Sequence, residues 1–328
     1  MGSDEAHDGS PSGVVRLHGG GSWAGGEGPS TAHPARTPTR KADPVDPRTH
    51  LDGLASAVAR LRDVLADGDL DAPVSGCPGW TLADLGAHVG SIYRFARTGL
   101  VEHRGLDAKD PGPTEREPML AWFDEGADAL LTALRAIDAR GGWDEPAWTM
   151  APPATAAFWV RRQHHETALH LWDALESQGA DPAEAAALAL DAATAADGVD
   201  EIVRMFFPRQ VRLGRLAPLD DALGLVLRPV GGAGADAEGA VAGAADGAGA
   251  GESAGAGESA GAASPVLTGD GGAGGGSVEG TASDAVLAGP PSSVLLALWK
   301  RIPLDSPGLS ITGDRAAAAR VVSAAITP

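Results

Sequence analysis

The chain has 328 residues, room for about two domains at roughly 100–200 residues each, so a peptide-sized or disulfide-stapled fold is excluded. Twenty-five Lys and Arg against 44 Asp and Glu leave a formal net charge of −19. That is the wrong sign for counterion-release binding to nucleic acid, and no run of about 18 apolar residues suggests a membrane span. A single cysteine, Cys77, allows no intrachain disulfide, and the acidic, Gly/Ser-rich N-terminus lacks a signal peptide's apolar core. A soluble cytoplasmic protein is expected.

Residues 1–46 are rich in Gly, Ser, Pro and His, with almost no large apolar side chains. Burial cannot offset the entropy of ordering them, which predicts a disordered tail. The 3.6-residue period begins at Leu51: Leu51, Leu54, Val58, Leu61, Val64 and Leu65 share one face of a first helix, with Arg60, Arg62 and Asp63 opposite. Cys77-Pro78-Gly79-Trp80 then breaks as a turn. Thr81, with Asp84 three residues on, has capping-box logic for a second helix over 82–98, its Leu82, Leu85, Val89, Ile92 and Ala96 inward. A Pro-rich, charged link over 107–118 precedes a third helix over 119–138, and the Pro152-Pro153 break precedes a fourth over 155–178. Four amphipathic helices with no convincing strand between them predict a mainly α chain that opens, over 47–180, with an antiparallel four-helix bundle.

Residues 183–207 read as one further Ala-rich helix within a connecting segment at 181–208. The remainder, 209–328, reads as a small α+β domain: strand-like alternation over 223–230, an apolar helix-like run at 294–299, a strand at 309–312 and an Ala-rich helix over 314–326. Residues 231–276 interrupt it with low-complexity sequence in which Gly-Ala-Gly-Glu-Ser-Ala occurs at 249 and again at 255. Between Arg228 and Lys300 stand eight acids and no Lys or Arg, so this insertion is expected to be a disordered, solvated expansion of a surface loop.

The chemistry concentrates in His164-His165-Glu166-Thr167-Ala168-Leu169-His170. The i, i+4 spacing stacks Glu166 and His170 on one helical face within reach of one ion. His88 lies on or beside the inward stripe of the second helix, where a bundle can bring it opposite the fourth. Three ligands, His, Glu and His, would leave open positions on a zinc-like ion, as in catalytic sites. Asp173, a turn beyond His170, could then fix that histidine's tautomer. The same spacing serves an ordinary solvated ion pair, and a lone histidine at a core edge is commonly just hydrogen-bonded. Cys77, just before a helix N-terminus, is either a nucleophile or a small buried residue in a tight turn. Trp80, Trp159 and Trp172 line a pocket or pack the core. No Gly-rich segment follows a strand and opens a helix, so no phosphate-cradling loop is supported.

Two segments together resemble the mycothiol-dependent maleylpyruvate isomerase family, a branch of the DinB-like metal-binding four-helix bundles. The first is the Cys77-Pro78-Gly79-Trp80 turn leading to His88, and the second is His165-Glu166 followed by His170. Leu295-Leu296-Ala297-Leu298-Trp299-Lys300-Arg301 followed by Gly313-Asp314 is similar to the family's C-terminal domain. The likeness covers about 50–328 apart from the insertion. It implies that His88, Glu166 and His170 are metal ligands, that the ion is zinc, and that mycothiol binds it through its thiol. It also implies an enzyme acting on a small-molecule substrate. In the family's named reaction the thiolate adds to a cis double bond of a dicarboxylic oxo acid, rotation follows, and elimination gives the trans isomer. Thiol transfer is the related activity. Arg301 is the candidate partner of a substrate carboxylate, although a helix-end arginine also caps carbonyls or pairs with Asp314. The contrasting expectation is a non-catalytic metal-binding bundle acting as a binding or regulatory module. Oligomeric state is not legible.

Overall fold

The structure is a computed structural model that describes residues 15–17, 45–105, 110–216, 224–229 and 284–327. The first helix, α1 (Pro47–Asp67), starts where Asp46 accepts the Arg48 amide and Pro47 fills the first turn. Its Leu51, Leu54, Ala57, Leu61 and Leu65 are buried. The second, α2 (Leu82–Arg97), begins with the expected capping box: the Thr81 hydroxyl accepts from the Asp84 amide at 3.3 Å, and Asp84 accepts from the Thr81 amide at 2.9 Å. Tyr93 is buried on it where Ile92 was expected, and Ile92 is only partly covered. A π-helical turn, Thr98–Glu102, follows. Helices α3 (Arg116–Ala139) and α4 (Ala156–Ser177) complete a helical bundle in which α1 lies along α4 and α2 along α3. Apolar side chains from all four helices meet in one core.

The single helix expected over 183–207 is instead several pieces: α5 (Pro182–Ala189), α6 (Ala192–Glu201), a π-helical turn (Ile202–Phe206) and α7 (Phe207–Arg212). Alanine content alone favours continuity, but Leu190 is extended and the Asp191 carboxylate accepts the Ala193 and Thr194 amides at 2.9 and 3.0 Å. That side-chain bond to the backbone starts a new helix. Pro208 sits in the first turn of α7, where its missing amide leaves no bond unmade.

Among the described residues four strands make one sheet in the order β1-β2-β3-β4: Val15–Leu17, Gly224–Pro229, Asp284–Gly289 and Ser310–Gly313. The central pair is parallel, with Val226 opposite Val286, and both outer pairs are antiparallel. Helices α8 (Pro291–Leu298) and α9 (Arg315–Ser323) pack on the sheet, and α8 also packs on α6, joining the sheet to the bundle. Two elements correct the expectation. Val15–Leu17 falls within the expected disordered tail, yet it pairs antiparallel with β2, Arg16 opposite Val226. The β3 strand was not foreseen. The rest of the expected tail up to residue 44, and the insertion at 231–276, lie outside the described residues.

Candidate metal centre

Helix α4 is buried on almost every face, because the bundle covers one side and α5 and α6 cover another. Arg162, Gln163, His164, His165, Thr167, His170 and Asp173 are therefore all buried polar groups. Such groups need partners, and the partners define the site.

Glu166 and His170 face His88 of α2. Glu166 Oε1 lies 3.5 Å from His88 Nε2 and 3.4 Å from His170 Nε2. Bonds of about 2.0–2.1 Å to a tetrahedral ion put neighbouring donors about 3.3–3.4 Å apart. Two imidazole nitrogens and one carboxylate oxygen at this spacing fit a divalent ion of the zinc class. His88 is the most exposed of the three and borders a cavity of about 540 Å³, whose lining includes Trp80, Ser91, Arg94, Asp110 and Trp122.

The other oxygen of Glu166 is occupied. Arg162, one turn earlier, donates to Oε2 and also to Glu201 of α6. Burial alone raises a carboxyl, but Arg162, His170 and His88 outweigh it and hold Glu166 well below the usual carboxylate range. A carboxylate held in this way offers Oε1 alone to an ion. Sequence reasoning missed Arg162, although its i, i+4 spacing to Glu166 was legible.

His170 points its Nδ1 the opposite way, 3.0 Å from Asp173 Oδ2, which directs Nε2 toward Glu166. Burial pulls the imidazole down, but Asp173, Cys77 and Glu166 together hold it well above its ordinary value when no ion is present. The expected role of Asp173 beside His170 thus has its geometry. Asp173 is wholly buried; desolvation raises it, and His170 and Arg301 more than reverse that.

Arg301, just after α8, reaches this pair and not Asp314. Its Nε donates to Asp173 Oδ1 at 2.9 Å and its Nη2 to Oδ2 at 2.8 Å, while Nη1 donates to the Trp299 carbonyl at 3.1 Å. Its side chain is 9% exposed, so the guanidinium is already engaged on both forks. Asp314 instead accepts the Ala317 amide and caps α9.

The Cys77–Trp80 turn closes the site. The Trp80 amide donates to the Cys77 carbonyl at 3.0 Å, and Gly79 has φ +86°, the left-handed value that the third position of a type II turn needs. The turn sets the Trp80 ring 4.7 Å from that of His88 and 6.4 Å from that of His170. Cys77 Sγ accepts from Arg301 Nη2 at 3.4 Å and lies 3.8 Å from Asp173 Oδ2. Trp159 and Trp172 are core residues whose indoles donate to the Trp148 and Pro182 carbonyls.

A family model described as the mycothiol maleylpyruvate isomerase N-terminal domain matches residues 51–175, and one described as the MDMPI C-terminal domain matches residues 193–320. No curated protein and no solved structure matches the chain.

Proposed function

The chain belongs to the mycothiol maleylpyruvate isomerase family, and from that premise we propose that it is a metal-dependent enzyme that activates mycothiol for cis–trans isomerisation or thiol transfer. The carrying observation is the convergence of His88 Nε2, Glu166 Oε1 and His170 Nε2 from two helices, with donor spacings of 3.4 and 3.5 Å. A zinc-class ion held by these three residues would supply an open coordination position at which a thiol loses its proton near neutral pH.

The chain's own groups do the remaining work. Arg162 holds Glu166 to one-oxygen presentation, and Asp173 sets the His170 tautomer. Trp80 shields the imidazoles from bulk water on one side. Arg301 acts through Asp173 as a positioning residue, since both its forks are already occupied. The cavity beside His88 is the place for thiol and substrate. Its lining carries Asp84 and Asp110, and its Arg94 is bound to Glu125 and to the Trp122 carbonyl.

Cobalt-substituted protein titrated with mycothiol tests this reading. A sulfur-to-cobalt charge-transfer band is expected in the wild type and not in His88→Ala. A cobalt spectrum indifferent to mycothiol would oppose it.

A further inference from the structure

A second cluster of possible ligands lies on the other side of α4. His50 of α1, His165 of α4 and Asp197 of α6 bring their donor atoms within 4.8 Å of one another. His50 Nε2 and His165 Nε2 stand 3.3 and 3.0 Å from Asp197 Oδ2, again near the donor spacing of a tetrahedral ion. The two histidines are 2% and 6% exposed.

Proximity has not produced hydrogen bonds. Neither Nε2 makes one, and nor does His165 Nδ1, although Glu201 Oε2 is 3.0 Å away. Buried ring nitrogens without partners are destabilising. The tautomers sharpen the point. His50 Nδ1 sits 3.1 Å from His164 Nδ1, so one of the two donates. With His50 as donor, its Nε2 carries a lone pair. With the His165 Nδ1 proton on the Glu201 side, its Nε2 does too. In that tautomer both lone pairs face Asp197 Oδ2, as they would around a shared cation; the competing arrangement is an imidazolium at His165 donating to Asp197 and Glu201.

The surroundings supply what a ligand set requires. Arg161 donates from Nε to Asp197 Oδ2 at 2.7 Å and from Nη2 to Oδ1 at 3.2 Å, orienting the carboxylate from behind. Asp197, Asp200 and Glu201 pair with Arg161, Arg162 and Arg204, and Arg162 is shared with Glu166.

We propose that His50, His165 and Asp197 form a second divalent-cation site, suited by its two imidazole nitrogens and one carboxylate oxygen to the zinc class. Its burial leaves no route for a substrate. Its role is structural: it ties the first helix of the bundle to α4 and to α6, which carries the C-terminal part of the chain.

The test counts zinc by mass spectrometry in full-length protein stripped with chelator and then re-equilibrated with zinc. Wild type is expected to hold two equivalents, His88→Ala/His170→Ala one, and Asp197→Asn one. The double variant leaves the second cluster intact, so it decides the matter even where Asp197→Asn fails to fold. A double variant that keeps its helical circular dichroism but binds no zinc overturns the proposal, and a proton shared by His165 and its two carboxylates then occupies the space. Failure of the His88 site alone looks different: one equivalent in wild type, retained in the double variant and lost in Asp197→Asn.

Discussion

Arg301 and Asp173, 128 positions apart in the chain, form a two-point ion pair at 2.9 and 2.8 Å that joins the C-terminal part of the molecule to the helix bearing Glu166 and His170. Removing one partner of a buried pair leaves the other charge uncompensated, at a cost of about 3–5 kcal/mol. Arg301→Met is therefore expected to lower the urea midpoint strongly. It should also weaken zinc binding by about 10–100-fold, as the loss of outer-shell support does elsewhere. A purely substrate-facing arginine would leave both the urea midpoint and the zinc affinity unchanged.

Gly76 gives an independent handle on the same pair. A Cβ there would stand 2.4 Å from Asp173 Oδ1 and 2.6 Å from Arg301 Nε, closer than real contacts allow. Gly76→Ala is expected to destabilise by about 1–3 kcal/mol and to weaken zinc binding along with it. Gly79→Ala, with open space around its Cβ but φ +86°, should cost about 1–2 kcal/mol through the backbone. Thermal melts and zinc titrations of the two variants, side by side, check the pair of expectations.

Much of this was legible in the sequence, and the rest was not for physical reasons. Leu51 to Leu65 and the Thr81–Asp84 box are local signals, and both elements lie where those signals put them. His88, Glu166 and His170 were nameable because two motifs pointed at one face. Asp191 was invisible as a cap because strong helix formers flank it, Ala189 and Leu190 before and Ala192 and Ala193 after, so propensity favoured an unbroken helix. Val15–Leu17 is three residues long and pairs with a strand about 200 positions away, and no local pattern encodes such a partner. The Ala-rich β3 lacks the run of β-branched residues that marks a strand. His50 and Asp197 gave no sign of each other, since only the packing of α1 and α6 on α4 brings them together.

Asp191 also carries a pH signature. Burial raises its carboxyl, but the Thr194 hydroxyl and the Thr194 and Ala193 amides hold it below its ordinary value. A carboxyl lowered in the folded state contributes stability that is present above the unfolded value, about 3.9, and is lost as pH falls through the folded one. Asp191→Ala is expected to cost about 1 kcal/mol at neutral pH. The gap from wild type should narrow in acid below about pH 4. Urea melts of both proteins across pH 3–7 check this, and a gap independent of pH would contradict it.

Tyr93 is fully buried, its hydroxyl 3.0 Å from Thr167 Oγ1, and burial pushes the phenol well above its ordinary value. Tyr93→Phe leaves the Thr167 hydroxyl without that partner and is expected to cost about 1–2 kcal/mol, with zinc content unchanged. Loss of zinc in that variant would tie Tyr93 to the metal centre.

The central claim is that two helices converge on one cation through His88, Glu166 and His170. Anomalous diffraction at the zinc edge from a crystal grown with zinc tests it most directly. The account predicts a peak within about 2.0–2.2 Å of His88 Nε2, Glu166 Oε1 and His170 Nε2. A map with no peak among those three atoms would contradict it.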